Sequence, residues 1–548
     1  MKRRINRRQC LWIALALLGV VGCSAIPDIR DRPFGHKHTG PETIDKTAAV
    51  VFFLDGVNAE IFRDLLDGAR LPNIKKYLVD RGLYIERCTA NVPSVTLANE
   101  TSVVTGLFPG NHGITGINWF DRNALIWRDY ATVAQKNFLD SDHHVPTIFE
   151  RLRGHITFSI FYQAHRGATK FVENWTSAGP PYFFGWYEMV DRISLCRFSI
   201  VAEVSRLTGE FPKFTIAYLL GPDMEGYRSG VSNSAYRHTL EHADAQIGRA
   251  LRDFESAGIL DKLILVLVSD HGMGDVQNQM VIEDFLHDTL GLAVARRHLW
   301  EETSFQDRLH YYKDFSCILP RSGERYCAIY LRRPRDDGAG FENWLKSPEP
   351  RHFHSYPNRK GEKVDVVARL LRERCVDMAA YAVGPNAVRL YRKDGVVEVR
   401  RHDRQSRMCS YHVLEGVNPL GYEGWVPNEM LTGKPFDSRR WLEATADTQF
   451  PDLLPQILAY FDSPLAGDIA LFATPLWDFG SPNKGAHGGL RPVDMHMPMI
   501  LAGPGVPHKH MKTARSVDLV PTLLHLLNEP PAPGLDGVNL LDAKAVLP

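Results

Sequence analysis

Three runs of consecutive apolar residues, each leading to an aspartate, set the tightest limit on how this chain folds. Ala48-Ala49-Val50-Val51-Phe52-Phe53-Leu54 runs into Asp55-Gly56, Phe214 to Leu220 into Gly221-Pro222-Asp223, and Leu263 to Val268 into Ser269-Asp270-His271-Gly272. Runs without polar alternation fit strands covered on both faces, the condition inside a parallel sheet. Helical segments lie between them, such as Ser234 to Ser256 with Ala243, Ile247, Ala250 and Leu251 on its apolar face. The alternation predicts an α/β domain with a mainly parallel central sheet flanked by helices. Ligands of such sheets bind at the carboxyl ends of the strands, where these aspartates gather. Carboxylates brought together repel one another unless a cation lies between them. Helix capping explains one such aspartate more readily than three followed by His271.

A fourth stretch, Asn91 to Gly113, reads as a loop that breaks into a short helix and stops at Gly106, with a turn at Pro109-Gly110. Thr96 falls at or near the helix start, where free backbone N–H groups and the positive end of the dipole suit an anion such as phosphate.

A chain of 548 residues implies two or three domains, or one large domain carrying an insertion. Charge is balanced, with 64 basic and 64 acidic residues, which argues against a coat for a nucleic-acid polymer. From about 286 to 464 the strong apolar runs give way to mixed, charged and aromatic sequence, read as an inserted α+β cap with a hairpin turning at Asp394-Gly395. The core, 47–285, is expected to resume at 465–548 with strands at Gly467–Ala473 and Met497–Gly503 and an amphipathic helix over Ser516–Leu527.

The first residues read as an export signal: a basic start with Arg7-Arg8, an apolar run from Leu11 to Gly22 too short to span a bilayer, then Val20-Val21-Gly22-Cys23. That tetrapeptide resembles the bacterial lipobox, which implies cleavage before Cys23, lipid on its thiol and a tether over 24–46. Ser24 after the cysteine, by analogy with such lipoproteins, points to the periplasmic side of the outer membrane. An ordinary cleaved signal or a signal anchor is the alternative. Of the cysteines beyond Cys23, Cys317 and Cys327 are close enough in sequence to suggest a disulfide, and none shows a CxxC metal spacing.

Taken together, Phe53-Leu54-Asp55-Gly56, Pro93 to Gly106 with Pro109 and His112-Gly113, Ser269-Asp270-His271-Gly272, His487-Gly488 and Val517-Asp518 with Asp536-Gly537 resemble the alkaline phosphatase superfamily, in its type I phosphodiesterase/nucleotide pyrophosphatase branch. The resemblance covers about 47–285 and 465–540. It implies two divalent ions, usually zinc, across the strand ends. Asp55, Asp270, His271 and the nucleophile Thr96 would hold the first, and Asp223 and His487 would help hold the second. Asn99, three residues after the nucleophile, would bond a phosphoryl oxygen. Ser94 is the rival nucleophile. Residue chemistry agrees: aspartate and imidazole are zinc-type donors, and a threonine hydroxyl needs activation to attack phosphorus. Arg166 is a further candidate for a substrate phosphate, with a surface salt bridge as the alternative. The aromatic run Pro181 to Tyr187 is a candidate flank for a base or lipid group.

One position departs from the family pattern, Asp-x-x-x-His, at the second ion: Asp223 is followed by Tyr227. Three arrangements are open. Tyr227 ligates as phenolate, Glu225, His238 or His242 substitutes, or the second position stays empty. The expected activity is hydrolysis of phosphoric esters, diesters or pyrophosphates ahead of monoesters, on a small-molecule, lipid or glycan substrate. Monoesterase, sulfatase or phosphonate hydrolase activity, or a catalytically silent envelope binding protein, are the alternatives.

Overall fold

The computed structural model describes residues 47–132, 135–173, 175–198, 201, 211–295, 304–404 and 407–542. The leader, Cys23 and the tether at 24–46 lie outside the described residues. Along the chain come strands β1 (Ala48–Leu54), β2 (Gly82–Thr89), β3 (Thr157–Ile160), β4 (Lys170–Val172), β5 (Phe214–Leu219) and β6 (Leu263–Val268). A second set follows: β7 (Tyr326–Leu331), β8 (Val376–Gly384), β9 (Ala387–Arg392), β10 (Gly395–Asp403), β11 (Met408–Gly416) and β12 (Ile469–Ala473). The chain then returns with β13 (His496–Ala502) and β14 (Lys509–Arg515).

The central sheet has the order β14-β2-β13-β6-β1-β5-β3-β4. Of its strands only β13 runs against its neighbours, pairing antiparallel with both β2 and β6. The apolar runs are explained by burial on two sides. Val50, Phe52 and Leu54 of β1 pack with Leu240, Ile247 and Leu251 of the helix Ser234–Ser256. Ala49, Val51 and Phe53 face the other way, toward Val103 and Val104 of the helix Thr96–Thr105 and Leu523 and Leu524 of the helix Leu519–Leu526. Parallel registers Leu54↔Leu219 and Phe53↔Val268 bring the ends of β1, β5 and β6 to one edge. Asp55, Asp223 and Asp270 follow those ends.

The second sheet is antiparallel, in the order Cys317–Ile318, β7, β12, β8, β9, β10, β11. Two expectations are corrected here. Ile469–Ala473 does not resume the central sheet; it is β12, held between β7 and β8. Its five buried residues suit either sheet, and hydrogen bonding to β7 decides. Cys317 and Cys327 are free thiols: they sit on adjacent strands out of register, Cys317 opposite Leu331 and Cys327 opposite Leu471. The hairpin at β9–β10 forms, with Lys393-Asp394 in the turn between paired Arg392 and Gly395.

Nor is the second sheet a loose cap. Tyr326 and Ala328 of β7 share a buried cluster with Ile457 and with Val92, Val95 and Ala98 around Thr96. Arg515 at the end of β14 forks onto Asp452, with Nε–Oδ2 at 2.6 Å and Nη2–Oδ1 at 2.7 Å, both side chains buried. A paired, bidentate contact of this kind is costly to break, because removing either partner strands a charge in the interior. Among the described residues no helix is long and apolar enough to cross a membrane.

Candidate active site

At the end of β1 and β6, each carboxylate has one oxygen held and one left over. Asp270 Oδ1 accepts from the backbone N–H of Gly56 at 3.1 Å and of His271 at 3.0 Å. Its Oδ2 is buried with no hydrogen-bond partner. Asp55 Oδ2 accepts from the Tyr218 hydroxyl, and its Oδ1 is likewise unpartnered. His271 Nδ1 lies 2.9 Å from the Gly272 carbonyl. That contact requires the proton on Nδ1 and leaves a lone pair on Nε2. Nε2 stands 3.2 Å from Asp270 Oδ2 and 3.6 Å from Asp55 Oδ1. Burial pushes His271 down to about 3, so the ring is neutral. Burial, with the neighbouring Asp270, raises Asp55, and burial raises Asp270 to about 7. Buried oxygens and one imidazole lone pair converging this way could hold a divalent cation.

A second group lies against the first. Asp223, His271 and His487 place ligand atoms within 4.8 Å of one another, and so do Asp55, Asp270 and His271. The His271 and His487 rings stack at 3.6 Å. His487 Nδ1 is 2.8 Å from the Ser94 carbonyl, which again turns a lone pair on Nε2 toward the site. That lone pair faces the Tyr227 hydroxyl at 2.5 Å, with Asp223 Oδ1 at 3.9 Å and unpartnered. Burial raises Tyr227 well above the usual phenol range, so the group present is the neutral phenol. Of the substitutes, Glu225 is tied to Arg228, His238 is exposed beside Glu188 and Glu241, and His242 contacts Gln246. None joins the donor groups just described.

Gly56 makes the gathering possible. Its φ is +65°, and a Cβ there would stand 2.7 Å from Asp223 Oδ1. Gly56→Ala is therefore expected to cost about 1–3 kcal/mol of stability through strain and overpacking. Denaturant unfolding checks this, and bound metal should fall in the same variant.

Thr96 is the first residue of its helix, after Val95 in extended conformation. Its Oγ1 is 3.2 Å from His271 Nε2, and it is partly exposed. The rival Ser94 is buried, with its hydroxyl donating to the Gly489 carbonyl at 2.8 Å.

Residues 49–418 match the family described as type I phosphodiesterase/nucleotide pyrophosphatase. The chain belongs to that family. The matched residues run well into the stretch expected to be an insertion. An ectonucleotide pyrophosphatase/phosphodiesterase of Caenorhabditis elegans is 26% identical over 304 residues, 52% of this chain and 38% of that protein. Human ectonucleotide pyrophosphatase/phosphodiesterase family member 1 is 26% identical over 46% of this chain and 27% of its own length. These alignments thus span less than two-fifths of either relative. In fold, human ectonucleotide pyrophosphatase/phosphodiesterase 5 superposes with a TM-score of 0.55 at 16% identity, covering 90% of this chain and 99% of that one. Its murine counterpart, an inactive threonine-to-alanine form in complex with AMP, gives 0.53 at 15% identity over 91% and 99%.

Two residues assigned to substrate in this phosphodiesterase family member have other work. The Asn99 amide donates to the carbonyls of Asn91, Pro93 and Val95 at 2.9–3.2 Å, and its Oδ1 accepts from Asn91. In this structure the Asn99 side chain is thus turned onto the backbone of the loop that leads into the Thr96 helix. Arg166 is likewise consumed: it pairs with Glu150 and donates to the carbonyls of Asp140, His143 and Val145. Arg166→Ala is expected to lose about 1–3 kcal/mol of stability while leaving KM for an aryl phosphoester within about twofold. A tenfold rise in KM would restore the substrate role.

Sequence reasoning missed Tyr218, which fixes Asp55, and Glu324, which lies next to His487 from the second sheet. Tyr218 carried a signal, since it is the polar residue in an otherwise apolar strand end. Glu324 carried none.

Proposed function

We propose that this chain is a metal-dependent hydrolase of phosphoric esters, acting on diesters or pyrophosphates through Thr96 and held to a membrane by lipid on Cys23. The observation that carries the reading is Thr96 Oγ1 at a helix N-terminus, 3.2 Å from His271 Nε2 and beside carboxylate oxygens that lack hydrogen-bond partners. Asp55, Asp270 and His271 would hold one divalent ion, and Asp223 and His487 a second; carboxylate and imidazole donors suit zinc. Such ions supply charge neutralisation at phosphorus and favour the ionised form of a nearby hydroxyl. Thr96 Oγ1 gives up its proton to solvent and bonds to phosphorus as the opposite P–O bond breaks, the leaving oxygen taking up a proton; water then adds to the phosphothreonine phosphorus, the Oγ1–P bond breaks and Thr96 regains its proton. The N–H groups opening the helix are aimed where charge develops on the phosphoryl oxygens. The murine relative's inactive threonine-to-alanine form is in keeping with a threonine role. The exposed Phe184 and Trp186, stacked at 5.3 Å, offer an apolar flank for the organic part of a lipid or nucleoside ester.

The silent binding protein has one observation in its favour: the Tyr227 phenol occupies the lone pair of His487. The two readings separate on the full chain in detergent. Turnover of a bis-aryl phosphate ahead of a mono-aryl phosphate, lost on chelation and regained with zinc or manganese, supports the hydrolase. No turnover of either ester with added ions rejects it.

A further inference from the structure

The geometry points to Glu324, a residue of the second sheet's edge hairpin, as the carboxylate that completes the second ion position where Tyr227 stands in place of histidine. The inference rests on the two-ion reading above and names a ligand that the family pattern does not contain.

Glu324 lies in the turn between Arg321–Ser322 and β7, whose strands pair Ser322 with Tyr326. Gly323 and Glu324 both have positive φ, +63° and +62°. Glycine adopts that conformation freely, but for glutamate it is uncommon and costs about 1 kcal/mol or more. The turn is held against the site rather than left at the surface. His487 N–H donates to the Gly323 carbonyl at 3.2 Å, Arg325 N–H to the His487 carbonyl at 3.0 Å, and Phe479 N–H to the Glu324 carbonyl at 2.9 Å. A Cβ on residue 323 would meet His487 Nδ1 at 2.8 Å, so only glycine lets the turn come this close. The strained conformer of Glu324 is thus fixed by backbone bonds to His487 and its surroundings.

The Glu324 side chain turns toward Tyr227. Its carboxyl lies beside the Tyr227 phenol and acts on Asp223, opposing the ionisation of both. Oε2 is buried without a hydrogen-bond partner. The adjacent arginines are committed elsewhere, Arg321 to Glu283 and Arg325 to Asp494. Among the described residues Glu324 forms no ion pair. An enclosed carboxylate oxygen with no donor, in a turn bonded to the His487 backbone, is costly alone and favourable around a cation. Tyr227 then has a part as well. Its hydroxyl oxygen, 2.5 Å from His487 Nε2, also neighbours the Glu324 carboxylate, so with Nε2 engaged the hydroxyl donates a hydrogen bond there, keeps its proton and orients the ligand.

The test is metal content and affinity of the full chain in detergent, by elemental analysis and cobalt(II) titration followed in the visible spectrum. The native chain should hold two ions. Glu324→Gln should hold one tightly and bind the second about tenfold or more weakly, with unchanged circular dichroism. Tyr227→His added to Glu324→Gln should restore the second ion. Tyr227→Phe should keep two. Two equivalents of unchanged affinity in Glu324→Gln overturn the inference, as does a native chain holding a single ion. Loss of the second ion in Tyr227→Phe but not in Glu324→Gln overturns it in favour of a phenolate ligand. If Glu324→Gln fails to fold, Glu324→Asp, which keeps the charge on a shorter stem, should bind the second ion more weakly than the native chain, and unchanged affinity there overturns the inference. A native chain binding no cobalt at all rejects the two-ion reading itself, a distinct failure from any of these.

Discussion

Thr96→Ala is expected to lower kcat/KM for a bis-aryl phosphate by about 10⁴-fold, as removal of a nucleophile does elsewhere. The ions should remain, because Asp55, Asp270 and His271 keep their converging atoms without Thr96 Oγ1. Ser94→Ala should leave the rate within about threefold, since that hydroxyl is spent on the Gly489 carbonyl. The pair of variants separates a covalent mechanism from mere binding at the helix start. A Thr96→Ala chain that turns over at the native rate removes the nucleophile from the mechanism, and a collapse in Ser94→Ala alone would transfer the role. Trapping after acid quench should find phosphate on a peptide containing Thr96 in the native chain and none in the variant.

Removing the ions is expected to invert how stability depends on pH. In the stripped chain burial raises Asp55 and Asp223 well above the ordinary carboxylate value and Asp270 to about 7. The folded chain then keeps protons that the unfolded chain has released. The stability tied to those protons is full below about pH 4 and is lost as pH rises through the folded values. His271, at about 3, and the lowered His487 act in the opposite sense: each is neutral when folded, and its contribution is lost as pH falls below about 6.5. The carboxylates are therefore read above pH 6.5, where both rings are neutral in either state. There the stripped chain should lose about 1.4 kcal/mol per pH unit for each carboxyl still protonated. A bound cation favours the ionised carboxylates, so the loaded chain should hold or gain stability over the same range. Unfolding midpoints at pH 6.5 and 8.5, with and without chelator, measure this. Parallel trends in the two forms would mean that the carboxylates do not hold the ions.

The parts of the fold that were legible in sequence are those where one pattern admits one environment. The runs ending at Leu54, Leu219 and Val268 alternate between two buried faces, and only a covered parallel sheet provides both. Ile469–Ala473 is equally apolar, yet it belongs to the other sheet, because partner strands are chosen by hydrogen bonding that composition does not record. The same limit applies at the site. Asp55, Asp223, Asp270, His271 and His487 are gathered as their places after strands suggested. Asn99 and Arg166 have the right chemistry for phosphate, but their polar atoms are already satisfied by neighbouring loops. Glu324 is the converse: an acidic residue in an ordinary turn, distinguished only by a backbone conformation and by what lies opposite.

The position of β13 also governs the order in which the chain can complete itself. It lies between β2 and β6, so roughly 230 residues after β6 must be made before the gap can close. Until then β6 pairs only with β1, and β2 has no partner, since β14 comes later still. Open strand edges of this kind recruit other chains. His487 emerges just ahead of β13 in the sequence, so the same late segment seals the sheet and supplies the last of the gathered imidazoles. A nascent or truncated chain ending before residue 487 would thus be both sticky and inert, and its rescue requires the missing segment rather than metal.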